Sequence, residues 1–269
     1  MTSTTTRPVR LGVQIAPQHA TYTKIRDTVE AVEGLGADVA FNWDHFFPLS
    51  GDRDGLHFES WTILSAWAEQ TSTIEIGALV NCNSYRNADL QADMARTIDH
   101  ISGGRFLFGT GAGWFERDYD EYGYEFGTPG TRLNALDDSL NRIEARWARI
   151  NPAPTRKIPV LIGGGGEKKT LRIVAQHADI WHSFADPTVL EHKLGVLGEW
   201  CEKVGRDMSE IEVSTELRGR TVAQAEELYD LGARLFTIGV SGPDYDLAHA
   251  VDWLAWRDAK NGQASVTPS

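Results

Sequence analysis

The chain has 269 residues, 41% of them hydrophobic, a formal net charge of −12 and two cysteines, Cys82 and Cys201. The length suits a single parallel α/β barrel, which takes about 250 residues. The acidity argues against nucleic acid as a partner, and two thiols far apart in sequence suit a reducing, cytoplasmic setting rather than a disulfide or metal cluster. No apolar run approaches the roughly 20 residues of a membrane span, and the polar residues 1–8 lack the apolar stretch of a secretory signal. No membrane partner is expected.

In chain order, strand and helix patterns alternate. Residues 10–16 read as a first strand, and Ile25, Val29, Val32 and Leu35 mark a helix that stops at Gly34 and Gly36. Residues 38–43 form a second strand leading into Asp44-His45. A helix at 60–70 turns Trp61, Leu64, Trp67 and Ala68 inward, and 74–80 is a third strand. Leu90, Met94, Ile98 and Ile101 mark a helix that ends at Ser102, where Gly103-Gly104 supply left-handed residues. Phe106-Leu107-Phe108 then reads as a strand buried on both faces, opening into Gly109, Gly111 and Gly113.

Residues 114–130 carry no clean period and are long for a routine loop, so they read as functional or lid-like. A helix through Leu133 and Trp147, closed by Pro152 and Pro154, precedes a fifth strand at 158–162 and four glycines at 163–166. Further strands at 178–184, 211–217 and 235–240 alternate with helices around Leu171–Ala175, 189–204, 222–231 and 247–260. Residues 1–8 and 262–269 read as disordered tails. Eight strands and eight helices in one domain point to a (β/α)8 TIM barrel, with a doubly wound sheet as the competing fold.

In such a barrel the loops after the strands build the site. Asp44-His45 is the acid/base candidate, because a histidine titrates near neutrality and a neighbour can set its tautomer; the alternative is a pair that bonds backbone at a strand end. The glycines at 163–166 precede a helix start, where bare amides can receive a phosphate, or else form a flexible turn. The run is not a Walker loop, and residues 109–113 lack the dinucleotide spacing. Trp114, Phe115, Tyr119, Tyr122, Tyr124 and Phe126 offer either an aromatic cover for a flat ring or packing at the rim or at an oligomer interface. His19, His57 and His182 read as structural histidines, and Cys82 as a buried thiol.

Taken together, residues 41–48, 76–87, 99–117 and 158–166 resemble the luciferase-like monooxygenase superfamily, and most of all its coenzyme F420-dependent oxidoreductase branch. The resemblance implies a barrel holding a flat flavin-type ring at the strand mouths. Asp44 would lie by the ring, and His45 would transfer a proton. A non-proline cis peptide in strand three would back the ring and fall at Ala78-Leu79, with Asn81 just beyond it in the cofactor-binding set. The backbone of Ala112 and Gly113 would meet the ring's polar edge, and Gly163, Gly164, Gly165 and Gly166 would take the cofactor phosphate. Two departures stand out. Relatives carry proline where this chain has Ala88. Sugar-phosphate-oxidising relatives carry a catalytic glutamate where this chain has Trp114, with Glu116 nearby; both join the catalytic candidates, and an aromatic there suits a flatter, more apolar substrate.

The resulting expectation is a hydride-transferring enzyme that uses F420 on a small-molecule substrate, with no metal, as a homodimer. The alternatives are an FMN-dependent luciferase-like monooxygenase, a non-catalytic cofactor-binding barrel, and a cofactor-free barrel lyase or isomerase.

Overall fold

The computed structural model describes residues 7–264. Of the tails expected at 1–8 and 262–269, residues 1–6 and 265–269 lie outside the described residues, while residues 262–264 continue the last helix instead of leaving it. Among the described residues, no helix is long and apolar enough to cross a membrane.

Nine parallel segments form the sheet: β1 (Arg10–Ile15), β2 (Val39–Asn42), β3 (Glu75–Ala78), β4 (Asn81–Cys82), β5 (Phe106–Gly111), β6 (Val160–Gly163), β7 (Ile180–Ser183), β8 (Glu212–Glu216) and β9 (Ala233–Val240). β1 pairs with both β2 and β9, and the ladder runs on through β8, β7, β6 and β5. β5 then pairs with β3 (Ile76 with Phe106) and with β4 (Asn81 with Thr110). β3 and β4 are thus two halves of one stave, and the sheet closes into an eight-stave (β/α)8 barrel.

The stave is broken by a cis peptide at Leu79-Val80, one bond beyond the position the resemblance implies. The reason is visible in the ladder. The Leu79 amide still donates to the Asn42 carbonyl at 2.8 Å, so the chain follows β2 through Leu79 and departs only afterwards. The departing segment explains the glycines of β5. A Cβ at Gly109 would lie 1.9 Å from the Ala78 carbonyl oxygen, so only a bare backbone fits beside it.

The flanking helices are α1 (Tyr22–Gly34), α2 (Ser60–Gln70), α3 (Ala88–Ile101), α4 (Glu116–Tyr122), α5 (Pro129–Trp147), α6 (Thr170–His177), α7 (Pro187–Val204), α8 (Val222–Asp230) and α9 (Ala248–Ala264). Side chains of Thr21, Glu59, Asn87, Thr128 and Asp186 cap the first turns of α1, α2, α3, α5 and α7. Ala88 is the first residue of α3, a position that needs no amide donor. The face α3 buries is Ala92, Ala95, Ile98 and Asp99, whereas Leu90 and Ile101 are exposed. The stretch 114–130 holds the short helix α4 and the start of α5.

Two apolar layers result. The larger one, including Leu11, Val13, Ile15, Trp61, Trp67 and Trp181, lies between sheet and helices. The smaller one plugs the barrel interior with Val39, Phe41, Leu79, Leu107, Leu161, Ile180 and Leu235, with Val80 packed on it. The strand starts are tied by polar groups. Arg10 on β1 bonds Glu212 on β8 and Glu75 on β3; burial alone would lower its pKa, and the two carboxylates hold it above the ordinary arginine value. The Arg105 side chain makes five hydrogen bonds, to Ser102, to Ile74, to Ala68 and twice to Thr71, fastening α2 to the entry of β5.

Candidate active site

A cavity of about 850 Å³ opens at the carboxyl ends of the strands, within the range of small-molecule sites. Its base is the top of the interior plug. Leu79 and Val80 belong to both the plug and the cavity lining. The Val80 side chain lies where a Cβ on Gly111 or Gly163 would sit, at 2.9 and 3.1 Å, so one valine rests on two bare strands. Gln14 on β1 donates from Nε2 to the Leu79 carbonyl at 2.7 Å and fixes the cis segment from below. Ala78, by contrast, is fully buried in the ladder and does not line the cavity.

Asp44 follows β2 and is almost wholly buried. Arg86 grips it with both arms, at 2.6 and 3.0 Å, and the Cys82 amide donates to it at 3.1 Å. Burial raises the Asp44 carboxyl pKa, and Arg86 and the amide act against that rise. Arg86 also bonds Glu59, the cap of α2. Asp44 lines the cavity, but its oxygens are engaged: it ties β2 to β4.

His45 has a different partner. Its Nδ1 lies 2.7 Å from Oδ2 of Asp118, a fully buried residue of α4. The same carboxylate accepts the Tyr85 hydroxyl at 2.8 Å and the Phe46 amide at 3.1 Å. Burial first, then the nearby Cys82 and Asp118, raises the Tyr85 pKa, so the phenol keeps its proton and remains a donor. An acceptor surrounded by donors places a proton on His45 Nδ1 and leaves Nε2 as the ring nitrogen for a bound molecule. Nearby His57 is held neutral, its pKa pushed down to about 4 by burial and by His45. Asp118 and Tyr85 were not among the sequence candidates. Asp118 stands in the acidic run Glu116-Arg117-Asp118-Tyr119-Asp120-Glu121, where nothing marks one carboxylate as buried.

Beyond β5, Ala112 and Gly113 line the cavity. Gly113 has φ +80°, and a Cβ there would lie 2.1 Å from the Tyr119 hydroxyl and 2.6 Å from the Cys82 sulfur. Cys82 lies 3.2 Å from that hydroxyl, and burial pushes its thiol up to about 11. Asn81 donates to the Gly109 carbonyl at 2.7 Å, while its Oδ1 is buried without a partner.

Of the glycine run, Gly163 and Gly164 line the cavity and Gly165 and Gly166 do not. Gly164 is fastened through its amide to the His182 carbonyl and through its carbonyl to Trp181. The Gly165 carbonyl takes Lys193, and Gly166 packs against the Thr170 hydroxyl. Thr170, which opens α6, lines the cavity next to Gly164, and Arg132 on α5 lines it as well. Arg132 donates to the carbonyls of Gly113 and Phe126.

Trp114 is exposed, lines the cavity and stands edge-on to His45 at 5.6 Å. Glu116 is exposed at the start of α4, outside the lining, and is not brought to the site. Phe115 packs edge-on against His45 at 5.4 Å, and the remaining loop aromatics pack on one another instead of covering the cavity. Tyr122 stacks on Phe46 at 3.9 Å, and Tyr85, Tyr119, Tyr124 and Phe126 complete the cluster. His182 on β7, read as a structural histidine, lines the cavity. Ser214 holds its Nδ1 at 2.8 Å, its Nε2 has no partner, and burial pushes its pKa down to about 3.

A closed parallel barrel with a cavity at its strand ends, beside a buried histidine–aspartate pair, is a TIM-barrel protein with room there for a small molecule. The luciferase-like monooxygenase family model matches residues 1–264, and the chain belongs to that family of oxidoreductases and monooxygenases. Pyrimidine monooxygenase RutA of Klebsiella pneumoniae is 28% identical over 199 residues, 66% of this chain and 51% of that protein. The chain spans between 51% and 61% of the length of the first curated relatives it matches. Among solved structures, an F420-dependent secondary alcohol dehydrogenase in complex with an F420–acetone adduct superposes with a TM-score of 0.82 at 15% identity, covering 95% of this chain and 99% of that one. The oxygenating constituent of 3,6-diketocamphane monooxygenase from Pseudomonas putida, in complex with FMN, superposes with a TM-score of 0.60 at 16% identity, covering 77% and 67%. Both kinds of ring cofactor therefore occur among neighbours of this fold.

Proposed function

We propose that the protein is an F420-dependent oxidoreductase that moves a hydride between the deazaflavin C5 and a small organic substrate. The observation that carries this reading is the buried Asp118–His45 pair at the edge of the cavity floored by Val80, Gly111 and Gly163. The residues present fit a flat ring with an anionic tail. Val80 on its two glycines would back the ring, Asn81 Oδ1 is a buried acceptor lacking a donor, and the Ala112–Gly113 backbone lies beside it. Gly163, Gly164, Thr170 and Arg132 would receive the phosphate; Arg132 is the one lining cation without an acidic partner among the described residues. The full-length likeness to an F420-dependent dehydrogenase supports the choice of cofactor.

When bound, the cofactor supplies or accepts the hydride at C5. The chain's own part is the proton. In the reducing direction, His45 gives a proton from Nε2 to the substrate oxygen as the carbon gains the hydride, and a carbonyl becomes an alcohol. In the oxidising direction, Nε2 takes the hydroxyl proton as the hydride leaves the carbon. Asp118 holds the ring through Nδ1 in both directions and balances its charge when both nitrogens are protonated.

The second reading, an FMN-dependent monooxygenase, is favoured by the sequence similarity to RutA. Titrating the purified protein with F420 and FMN separately, followed by fluorescence, tests the choice. Tight binding of F420 with weak binding of FMN supports the first reading, and the reverse preference transfers the assignment to the second.

A further inference from the structure

Phe184 and Trp114 are the two most exposed large apolar side chains among the described residues, at 67% and 64% of their full surface. Both line the same cavity, Phe184 from the loop after β7 and Trp114 from the loop after β5. Neither is a loose surface ring. Trp114 stands edge-on to His45 at 5.6 Å and 74°, and Phe184 stands edge-on to His182 at 4.9 Å and 85°. Each aromatic is oriented by a histidine and leaves its own apolar surface uncovered. Large apolar surface held in place at a cavity mouth marks a place where a ligand completes the packing.

The charges lining the cavity select against an ionic ligand at this end. Asp44 is neutralised by Arg86, and Glu216 is paired with Arg218 at 3.0 Å. Arg132 on α5 is held by the Gly113 and Phe126 carbonyls through Nε and Nη1. The two histidines beside the aromatics differ: His45 is joined to Asp118, whereas His182 has only the Ser214 hydroxyl. The imidazole next to Phe184 is thus neutral packing surface, and the imidazole next to Trp114 is the one placed to exchange a proton.

We infer that the substrate is a flat, uncharged, predominantly apolar ring compound bearing a carbonyl or alcohol, seated against Trp114 and Phe184 with its oxygen toward His45. The inference rests on the oxidoreductase reading above for the reaction, but the recognition it describes is a binding property. In the reducing direction the carbonyl carbon takes the hydride from the reduced deazaflavin, the oxygen takes the His45 proton, and the deazaflavin is left oxidised.

Calorimetric titration of the full-length protein, without cofactor and again with F420 or FMN added, tests the inference with 1-tetralone and glucose 6-phosphate as probes. The expected result is measurable 1-tetralone binding that weakens about tenfold in Trp114→Ala and in Phe184→Ala, is retained in Trp114→Phe, and exceeds binding of glucose 6-phosphate. Thermal melting and the cofactor titration, run on each variant, separate ring recognition from folding and cofactor binding. Absence of 1-tetralone binding in the unsubstituted protein overturns the inference, as does unchanged affinity in both alanine variants or tighter binding of glucose 6-phosphate. Preference for FMN over F420 overturns the cofactor assignment alone, since the ring titration is read independently of which cofactor binds.

Discussion

His45 Nδ1 and Asp118 Oδ2 meet at 2.7 Å although 73 residues separate them in the chain. One belongs to the end of the second stave and the other to the short helix after the fourth, so α4 positions the imidazole. His45→Ala is expected to lower turnover by about 10²- to 10⁴-fold, the usual range for an acid/base group, while cofactor affinity changes by about twofold or less. Asp118→Asn is expected to follow the same pattern with a smaller loss, because the ring remains but its tautomer is no longer imposed. Steady-state kinetics beside a cofactor titration make the comparison. Equal losses of turnover and cofactor affinity would assign the pair to binding.

Arg86 stands between Asp44 and Glu59 in a buried setting. Arg86→Met leaves Asp44 without its countercharge, and removal of one partner of a buried pair costs about 3–5 kcal/mol. The expected outcome is a marked fall in the urea midpoint at pH 7. Burial already raises the Asp44 pKa, and loss of Arg86 raises it further, so the folded variant takes up a proton more readily than the unfolded chain. The deficit therefore shrinks as pH is lowered, which urea unfolding at pH 7 and pH 5 measures.

His182 gives a pH dependence of the opposite sign. Its pKa is about 3 in the folded chain, against the ordinary 6.5. Below pH 6.5 the unfolded chain binds a proton that the folded chain refuses, so this contribution to stability is present above pH 6.5 and declines toward pH 3. Between pH 8 and pH 5 the loss amounts to about 2 kcal/mol for one such histidine. His182→Gln is expected to lose about that much less stability than the unsubstituted protein over the same interval, as read by chemical unfolding at the two pH values. An identical pH slope in both proteins would show that His182 titrates normally.

Gly113→Ala is expected to destabilise the fold by about 1–3 kcal/mol, combining a positive φ with a side chain forced onto Tyr119 and Cys82. Differential scanning calorimetry reads the size. Because the clash displaces the Cys82–Tyr119 contact, alkylation of Cys82 is expected to speed up in this variant; in the unsubstituted protein the buried thiol, with a pKa near 11, reacts slowly at neutral pH.

The staves and helices were legible because each carries its own period and its own stops: Gly103 and Gly104 do adopt positive φ, and Trp61, Leu64 and Trp67 are buried as their spacing predicts. Asp44, His45, Trp114, Gly113, Gly163 and Gly164, which line the cavity, were legible because strand ends converge, and Ala112 entered through the family resemblance. What escaped the sequence depends on tertiary contact. Asp118 is one acidic residue among several until α4 folds against Tyr85, and Arg86 gains its meaning only from Asp44 and Glu59. The glycines at 165 and 166 are indistinguishable in sequence from those at 163 and 164, yet only the first two reach the cavity. Leu90 and Ile101 fit the helical period but fall on the outer side of α3, while small Ala92 and Ala95 on its buried face allow close approach to its neighbours.

The fastening of Arg10 to Glu75 and Glu212, and of Arg105 to α2, lies wholly at the strand starts, away from Trp114 and Phe184. The two ends of the barrel are therefore free to change at different rates. Substitutions in the rim loops can retune which molecules are accepted without drawing on the contacts that keep the staves in register, so homologous chains with the same lower lattice and different rim aromatics should share a folding core while diverging in chemistry. The barrel behaves as a chassis with an interchangeable face.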